Sequence, residues 1–143
     1  MSIQSILDRK RAGVVTIGAT EAVQSAADRM REHGIAALVV KSGDTINGLI
    51  SERDIVHAVS RHGEGALSLA VSHVVTHPIV KVAPSDGLKR AMSLMTNHRV
   101  RHLPVIDDGK LVGIVSIGDV VKHRLEDLET ESNVLRDAYI AAH

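Results

Sequence analysis

Two serine–aspartate pairs with the same spacing are the residues best suited to hold a ligand. Ser51 and Asp54 follow a predicted strand, and Ser116 and Asp119 repeat the arrangement 65 positions later. A serine hydroxyl at the start of a helix can donate to a phosphate oxygen, and the positive end of the helix dipole favours an anion there. An aspartate three residues on can accept hydrogen bonds from both ribose hydroxyls. The two pairs therefore indicate phosphate and ribose binding.

The same spacing has a purely structural interpretation. Serine followed by an acid three residues later approximates a capping box, in which the two residues satisfy each other's backbone donors and no ligand is needed. The pairs also differ: Arg53 in the first can grip a phosphate bidentately, whereas Gly118 in the second lets a ligand approach the backbone closely. We therefore expect two related sites with separate preferences.

The duplication extends over most of the chain. An offset of 65 residues, without gaps, aligns Val15 with Val80, Ala26 with Ala91, Met30 with Met95, His33 with His98, Leu38 with Leu103 and Val40 with Val105. A unit of roughly 60 residues buries only about 60% of its unfolded surface when it is alone. The two copies are therefore expected to pack against each other.

Each copy is predicted to be a β-α-β-β-α unit. The predicted strands are residues 14–17, 36–41 and 46–50 in the first copy, and 79–82, 103–106 and 111–115 in the second. Thr20 and Ser85 are predicted to cap the first helix of each copy, and Gly34 to end the helix of the first. Ser51 is predicted to cap the next helix. The fold class is thus α+β, in tandem.

The connecting and terminal segments are predicted from composition and periodicity. Residues 61–68 form the expected linker and residues 69–75 a short helix. A last helix is predicted from Asp119, with a heptad seam at Val121, Leu125, Leu128, Ser132, Leu135 and Tyr139. This helix either docks on its own domain or joins two subunits, and we favour the subunit contact. The predicted division is 1–68, 69–127 and 128–143.

Composition narrows the function further. The chain has 143 residues, 44% of them apolar, with one Tyr and no Phe or Trp, so its core is aliphatic. Seventeen basic and seventeen acidic side chains cancel, which removes the long-range field that would favour nucleic acid or an anionic membrane. No stretch approaches the roughly 20 apolar residues of a spanning helix. A soluble, cytoplasmic protein is expected.

Metal and thiol chemistry find little support. The absence of cysteine excludes disulfides, thiolate sites and cysteine nucleophiles. The nine histidines include no His-x-x-x-His pair on a predicted helix and no Glu at zinc-protease spacing, so no metal site is predicted. His33 and His98 occupy equivalent helix ends, where a protonated imidazole would favour the dipole.

A tandem β-α-β-β-α unit with Gly-h-h-Ser-x-x-Asp after each third strand, where h is apolar, resembles the cystathionine-β-synthase (CBS) domain pair. The resemblance runs from about Ile3 to Leu125 and includes residues 14–17 and 98–105. It implies two repeats packed sheet to sheet about a pseudo-two-fold, with two clefts that bind AMP, ADP, ATP, S-adenosylmethionine or NAD. It also implies a homodimer of such pairs.

The resemblance implies a set of binding residues for each cleft. The first set is Thr16, Ile17, Ala37, Ile50, Ser51, Arg53 and Asp54. The second set is His77, Ile79, Lys81, Arg101, His102, Leu103, Pro104, Val115, Ser116, Ile117 and Asp119. With almost no aromatic residues, base selectivity is expected from backbone hydrogen bonds and shape.

The expected function is a non-catalytic, regulatory sensor of adenine nucleotides. An enzyme is not expected, because no nucleophile elbow, phosphate loop or metal motif brings the polar residues together. The alternative is a structural homodimerisation module without a physiological nucleotide. A carboxylate on the ribose should disfavour a 2′-phosphate, which predicts AMP or NAD over NADP.

Overall fold

The computed structural model describes residues 2–10, 13–75 and 79–142. Its helices are α1 (Ile3–Lys10), α2 (Val23–His33), α3 (Glu52–His62), α4 (Leu88–His98) and α5 (Ile117–Ala142). Its strands are β1 (Thr16–Gly18), β2 (Ala37–Ser42), β3 (Thr45–Ser51), β4 (His102–Asp107) and β5 (Lys110–Ser116). Two 3-10 helices lie between the repeats, at Gly63–Ser68 and Val71–His73.

The two hairpins confirm the repeat in detail. Strand β2 pairs antiparallel with β3, with Ala37 opposite Ser51, and β4 pairs with β5, with His102 opposite Ser116. Each hairpin shifts register once, after Val40 and after Val105, which are again 65 residues apart. The predicted α+β class with tandem repeats is therefore confirmed.

The predicted strand at residues 79–82 is wrong. Strand β1 pairs in parallel with β2, but its counterpart in the second repeat makes only one bridge, between Val82 and Val105. In the first repeat the amide of Val39 donates to the carbonyl of Val15. The position equivalent to Val39 is Pro104, which has no N–H to donate, so this hydrogen bond cannot form.

Thr20 and Ser85 do not cap their helices. The N-cap residues are Ala22 and Gly87, and neither makes a side-chain cap. Instead, an acid closes the turn before each helix: Glu21 accepts from the amide of Gly18 at 2.7 Å, and Asp86 from that of Ala83 at 2.8 Å. Thr20 lies within this turn, so the helix begins later. Gly34 does end α2, at φ 62°.

The segment between the repeats is helical. Helix α3 continues to His62, and the residues predicted as a linker form the first 3-10 helix. The predicted short helix at 69–75 is confirmed only in part, as the second 3-10 helix. Helix α5 begins at Ile117, two residues before the predicted start, and α1 was not predicted at all.

The core of each repeat includes a segment from another part of the chain. Helix α1 packs into the core of the second repeat, and the segment between the repeats packs into the core of the first. Ile3 and Ile6 of α1 are buried in the core of the second repeat, whereas Val71 and Val75 are buried in that of the first. Backbone hydrogen bonds fix both segments: Ile3 to Asp86, and Val71 to Glu21. The division at residue 68 stays a prediction, since the segments on either side of it are interlaced.

Helix α5 extends well beyond the second core. Its first turns bury Val120 and His123, but every residue from Leu128 to its end is exposed. Within the described part of the chain, no helix is long and apolar enough to cross a membrane.

Candidate functional site

A cleft of about 990 Å³ lies between the two repeats. One wall comes from the end of β3 and the first turns of α3, and the other from the end of α4 and the start of β4. The lining residues are Ala36, Ala37, Gly48, Leu49, Ser51, Glu52, Arg53, Asp54, His57, Ile79, Val80, His98, Arg99, Val100, Arg101, His102, Pro104 and Ile117. This volume is at the upper end of the range for small-molecule sites.

The first serine–aspartate pair forms a capping box at the start of α3. Asp54 Oδ2 accepts from the amide of Ser51 at 2.8 Å and from its hydroxyl at 3.0 Å. The amide of Asp54 donates back to Ser51 Oγ at 3.3 Å. The capping interpretation therefore describes this pair geometrically. Both residues also line the cleft, so the cap fixes the Asp54 carboxylate at the edge of this cavity.

The second pair has the same local geometry with an added cation. Asp119 Oδ2 accepts from the amide of Ser116 at 2.9 Å, and the amide of Asp119 donates to Ser116 Oγ at 3.1 Å. Lys10 Nζ of α1 lies 2.8 Å from the same oxygen, Oδ2. Burial raises the pKa of Asp119, but the hydrogen bonds from Lys10 and the Ser116 amide outweigh it, so the pKa is lowered.

His102 lies half-buried at the start of β4, within the cleft lining. Burial lowers its pKa from 6.5, and the positive charge of Lys10 lowers it further. The negative charge of Asp119 acts in the opposite direction without reversing the shift. The imidazole is therefore neutral at pH 7 in the absence of a bound anion.

Three arginines from different elements line the same cleft. Arg53 comes from the first turn of α3, Arg99 follows α4, and Arg101 precedes β4. Arg99 has a left-handed backbone, with φ 54° and ψ 41°, where the first repeat has Gly34 at φ 62°. The left-handed conformation is costly for a residue with a side chain. The guanidinium groups place three positive charges at the cleft, although the chain has no net charge.

The structure brings residues of both predicted sets into one cleft. From the first set it includes Ala37, Ser51, Arg53 and Asp54, and from the second Ile79, Arg101, His102, Pro104 and Ile117. Ile17, Ile50, Leu103 and Val115 are instead buried in the two cores. Thr16, Lys81, Ser116 and Asp119 lie outside the lining. The predicted residue His77 lies outside the described residues.

Several residues of the region were missed from the sequence. Glu52 precedes Arg53, and His57 follows it by one helical turn, so the predicted α3 already carried the signal that placed them on the cleft side. His98 could have been found from its position at the end of α4. Lys10 offered no such signal, because α1 was not predicted. Among the described residues, no group of three or more His, Asp or Glu could hold a metal ion.

Comparison with known proteins finds the same duplication. The model of the CBS domain family matches residues 6–61 and again residues 71–126. The chain is 38% identical over 125 residues to a mitochondrial CBS domain-containing protein of Arabidopsis thaliana, an alignment that covers 84% of this chain. It spans 60% of the length of that relative.

Solved structures share the architecture. A CBS-domain protein from Agrobacterium tumefaciens superposes with a TM-score of 0.83 at 38% identity, and the match covers 87% of this chain and 99% of that one. A CBS-domain protein from Pyrobaculum aerophilum, complexed with AMP, superposes with a TM-score of 0.74 at 24% identity, covering 83% and 89% of the two chains.

The family assignment agrees with the duplicated hairpins, the paired capping boxes and the interlaced helices. Both family matches together cover well over half of the sequence. The chain therefore belongs to the CBS domain family and carries two CBS domains in tandem.

Proposed function

We propose that this chain is a non-catalytic regulatory module that binds an adenosine-containing nucleotide, such as AMP, ADP, ATP or NAD, between its two CBS domains. The observation that carries the proposal is the convergence of Asp54, Arg53 and His102 on one cleft. A carboxylate, a guanidinium and an imidazole in this arrangement match a ribose and a phosphate.

The polar end of the cleft provides groups that would bind the ribose and the phosphate. The capping box holds the Asp54 carboxylate beside the Ser51 backbone at the edge of the cleft, where ribose hydroxyls would donate to it. Arg53 lies one residue away on the exposed side of α3 and can reach a phosphate bidentately. Arg101 and His102 line the opposite wall, so a phosphate would lie between two repeats.

The apolar part of the cleft suits an adenine ring. Ala37, Ile79, Pro104 and Ile117 provide aliphatic surface from both repeats, and the described lining contains no Phe, Tyr or Trp. Base selectivity would then depend on shape and on backbone hydrogen bonds. The AMP bound in the Pyrobaculum aerophilum protein supports an adenine nucleotide as the ligand class.

Because the cleft is shared by the two repeats, a bound nucleotide would bridge them. It would stabilise the relative arrangement in which both walls contact it, and so shift the population of conformations. This coupling is the physical basis of the proposed regulatory role. We propose no catalytic step, since the cleft residues suit binding.

Thermal unfolding with and without nucleotide tests the proposal. AMP, ADP, ATP and NAD are each titrated, and a ligand at about 100 times its dissociation constant should add roughly 2.7 kcal/mol to the free energy of unfolding. This corresponds to several degrees, at about 2–4 °C per kcal/mol. Asp54→Ala should reduce the shift, whereas Asp44→Ala in the exposed β2–β3 turn should leave it unchanged.

NADP provides an internal comparison, because its 2′-phosphate would meet the carboxylate of Asp54. We expect a smaller shift with NADP than with NAD. If none of the adenosine ligands changes the melting curve, the proposed function is wrong. An equal effect of Asp54→Ala and Asp44→Ala would contradict the role of Asp54.

A second role, self-association, is favoured by helix α5. Its exposed apolar residues Val121, Leu128 and Leu135 recur every seven positions, as do Leu125 and Tyr139 across two heptads. We propose that a second copy of this chain covers this face. Sedimentation of a variant truncated after His123 should show weaker dimerisation than the full chain, and an unaltered dimer would remove the proposed role of α5.

A further inference from the structure

Lys10 is placed on the carboxylate that the second repeat would offer to a ribose. Its ammonium lies 2.8 Å from Asp119 Oδ2 and 3.0 Å from the carbonyl oxygen of Ile114. Asp119 occupies the same position in the second capping box as Asp54 in the first. Any ribose that approaches Asp119 therefore meets a carboxylate already engaged by a cation of the same chain.

The rest of α1 holds Lys10 at this position. Ile3 and Ile6 are buried in the second core, and Leu7 packs so closely on Gly113 that a Cβ there would overlap its side chain. Arg9 pairs with Glu126 of α5. The helix is thus fixed along its length, and Lys10 is its last residue.

The sequence of the other copy carries no lysine at the position that aligns with Lys10. Two backbone hydrogen bonds hold α1 to the second repeat, from Ile3 to Asp86 and from Gln4 to Pro84. Their counterparts in the first repeat run from Val71 to Glu21 and from Ser72 to Ala19. On this alignment α1 corresponds to the segment 68 residues later, so Lys10 corresponds in sequence to Pro78. The position therefore holds a lysine in one copy and an uncharged residue in the other.

We infer that Lys10 is a specificity-determining residue of a second site, formed at Asp119 outside the cleft described above: its ammonium occupies Asp119, so that a ribose must compete with an internal cation. This inference rests on the proposed function. A neutral nucleoside is disfavoured at the second site, because it has no anionic group to pair with the displaced ammonium. A nucleotide loses less, because its phosphate can receive the ammonium when Lys10 leaves the carboxylate.

Adenosine is the probe that isolates this competition, since it carries the ribose without a phosphate. Binding is measured by calorimetry on the full chain with Asp54→Ala, so that the second site dominates the signal. Adding Lys10→Met should tighten adenosine binding by about two- to fivefold, the factor expected for a partly exposed ion pair. Arg9→Met in the same background is the matched control, and it should leave adenosine affinity unchanged.

Salt provides a readout that a general loss of structure would not produce. Adenosine is uncharged, so raising the ionic strength should weaken the Lys10–Asp119 pair and increase affinity in the Asp54→Ala protein. With Lys10→Met present this salt dependence should disappear. Melting temperatures of the three variants confirm that the comparison concerns folded proteins.

Each outcome decides the inference. Tighter adenosine binding with Lys10→Met, or binding that appears only when Lys10 is replaced, supports it. Unchanged or weaker adenosine binding with Lys10→Met overturns it, and so does the absence of any second site when the wild-type chain binds. If the wild-type chain binds neither adenosine nor AMP, the proposed function itself is contradicted.

Discussion

The two CBS repeats have nearly the same backbone and differ at the residues that would meet a ligand. Both hairpins shift register at equivalent positions, and both serine–aspartate pairs form capping boxes. Yet Arg53 is replaced by Gly118, Gly34 by Arg99, and Val39 by Pro104. Asp119 is also paired with Lys10 from outside its own repeat.

This difference separates what maintains the fold from what selects a ligand. The positions that keep their residue type are mostly buried and aliphatic, such as Leu38 and Leu103, or Val40 and Val105. Of the three differences named above, each places one residue on the cleft lining: Arg53 and Arg99 at helix ends and Pro104 within β4. Duplication therefore preserved the cores, while substitutions at the cleft made the two halves of the site unequal.

The largest expected effect tests whether the two cores are equivalent. Leu38→Ala and Leu103→Ala each remove a fully buried side chain, and each should lower the free energy of unfolding by about 2–5 kcal/mol. Urea denaturation followed by circular dichroism measures both. Leu67→Ala, at an exposed leucine of the first 3-10 helix, is the control and should cost much less. A large effect in only one repeat would break the equivalence.

The next effect concerns the phosphate. Arg53→Ala should weaken AMP binding about tenfold, the loss typical of a charge-assisted hydrogen bond, and should leave adenosine binding unchanged. Arg61→Ala, at the other end of α3, is the matched control. Gly118→Arg is the reciprocal change, and a Cβ there would lie 3.6 Å from Ser116 Oγ, which is an ordinary van der Waals contact. If Arg53→Ala leaves AMP affinity unchanged, as Arg61→Ala should, the proposed role of Arg53 is wrong.

A smaller effect concerns the helix ends. Arg99→Gly should raise the free energy of unfolding by about 1 kcal/mol, because glycine adopts the left-handed conformation without steric cost. Gly34→Ala should lower it by a similar amount, since Gly34 has the same conformation and open space around it. If Arg99→Gly also weakens AMP binding, the strained residue serves the ligand. If Arg99→Gly instead lowers the free energy of unfolding, the arginine side chain stabilises the protein by more than its left-handed backbone destabilises it.

The smallest effect is a pH dependence. The pKa of His102 is lowered, so the imidazole is neutral at pH 7, and a bound phosphate would favour its protonated form. Binding then takes up a proton, and AMP affinity should rise up to about threefold as the pH falls from about 8 to about 6. Since the phosphate itself takes up a proton near pH 6, the informative quantity is the difference between the wild type and His102→Gln. Parallel pH profiles of the two proteins would exclude a contribution of His102.

Most of the fold was predictable because apolar periodicity recurs at one offset. The hairpins and the helix ended by Gly34 follow from local sequence, and the capping role of Ser51 from its spacing to Asp54. The strand at residues 79–82 was wrong because its loss depends on a proline in a neighbouring strand, 22 or more residues away. Pairing between segments is not readable from either segment alone.

The chemistry of the candidate site could be predicted from the sequence, but which residues line the same cleft could not. The residues with phosphate and ribose chemistry were identified from the duplicated motif and the family resemblance. Their assignment to separate clefts did not anticipate that Arg53 and Arg101 line the same cavity, because this depends on how the repeats pack. Lys10 was missed since its partner, Asp119, is 109 residues away.

The interlacing of the repeats also constrains how the chain folds. Helix α1 is synthesised before the first repeat's hairpin, but the core that receives Ile3 and Ile6 is encoded between Val82 and Val120. The second repeat can complete its core only by closing a loop that spans the whole first repeat, a step that raises contact order and slows folding. During synthesis, α1 therefore has no native partner until nearly all of the duplicated region has emerged from the ribosome.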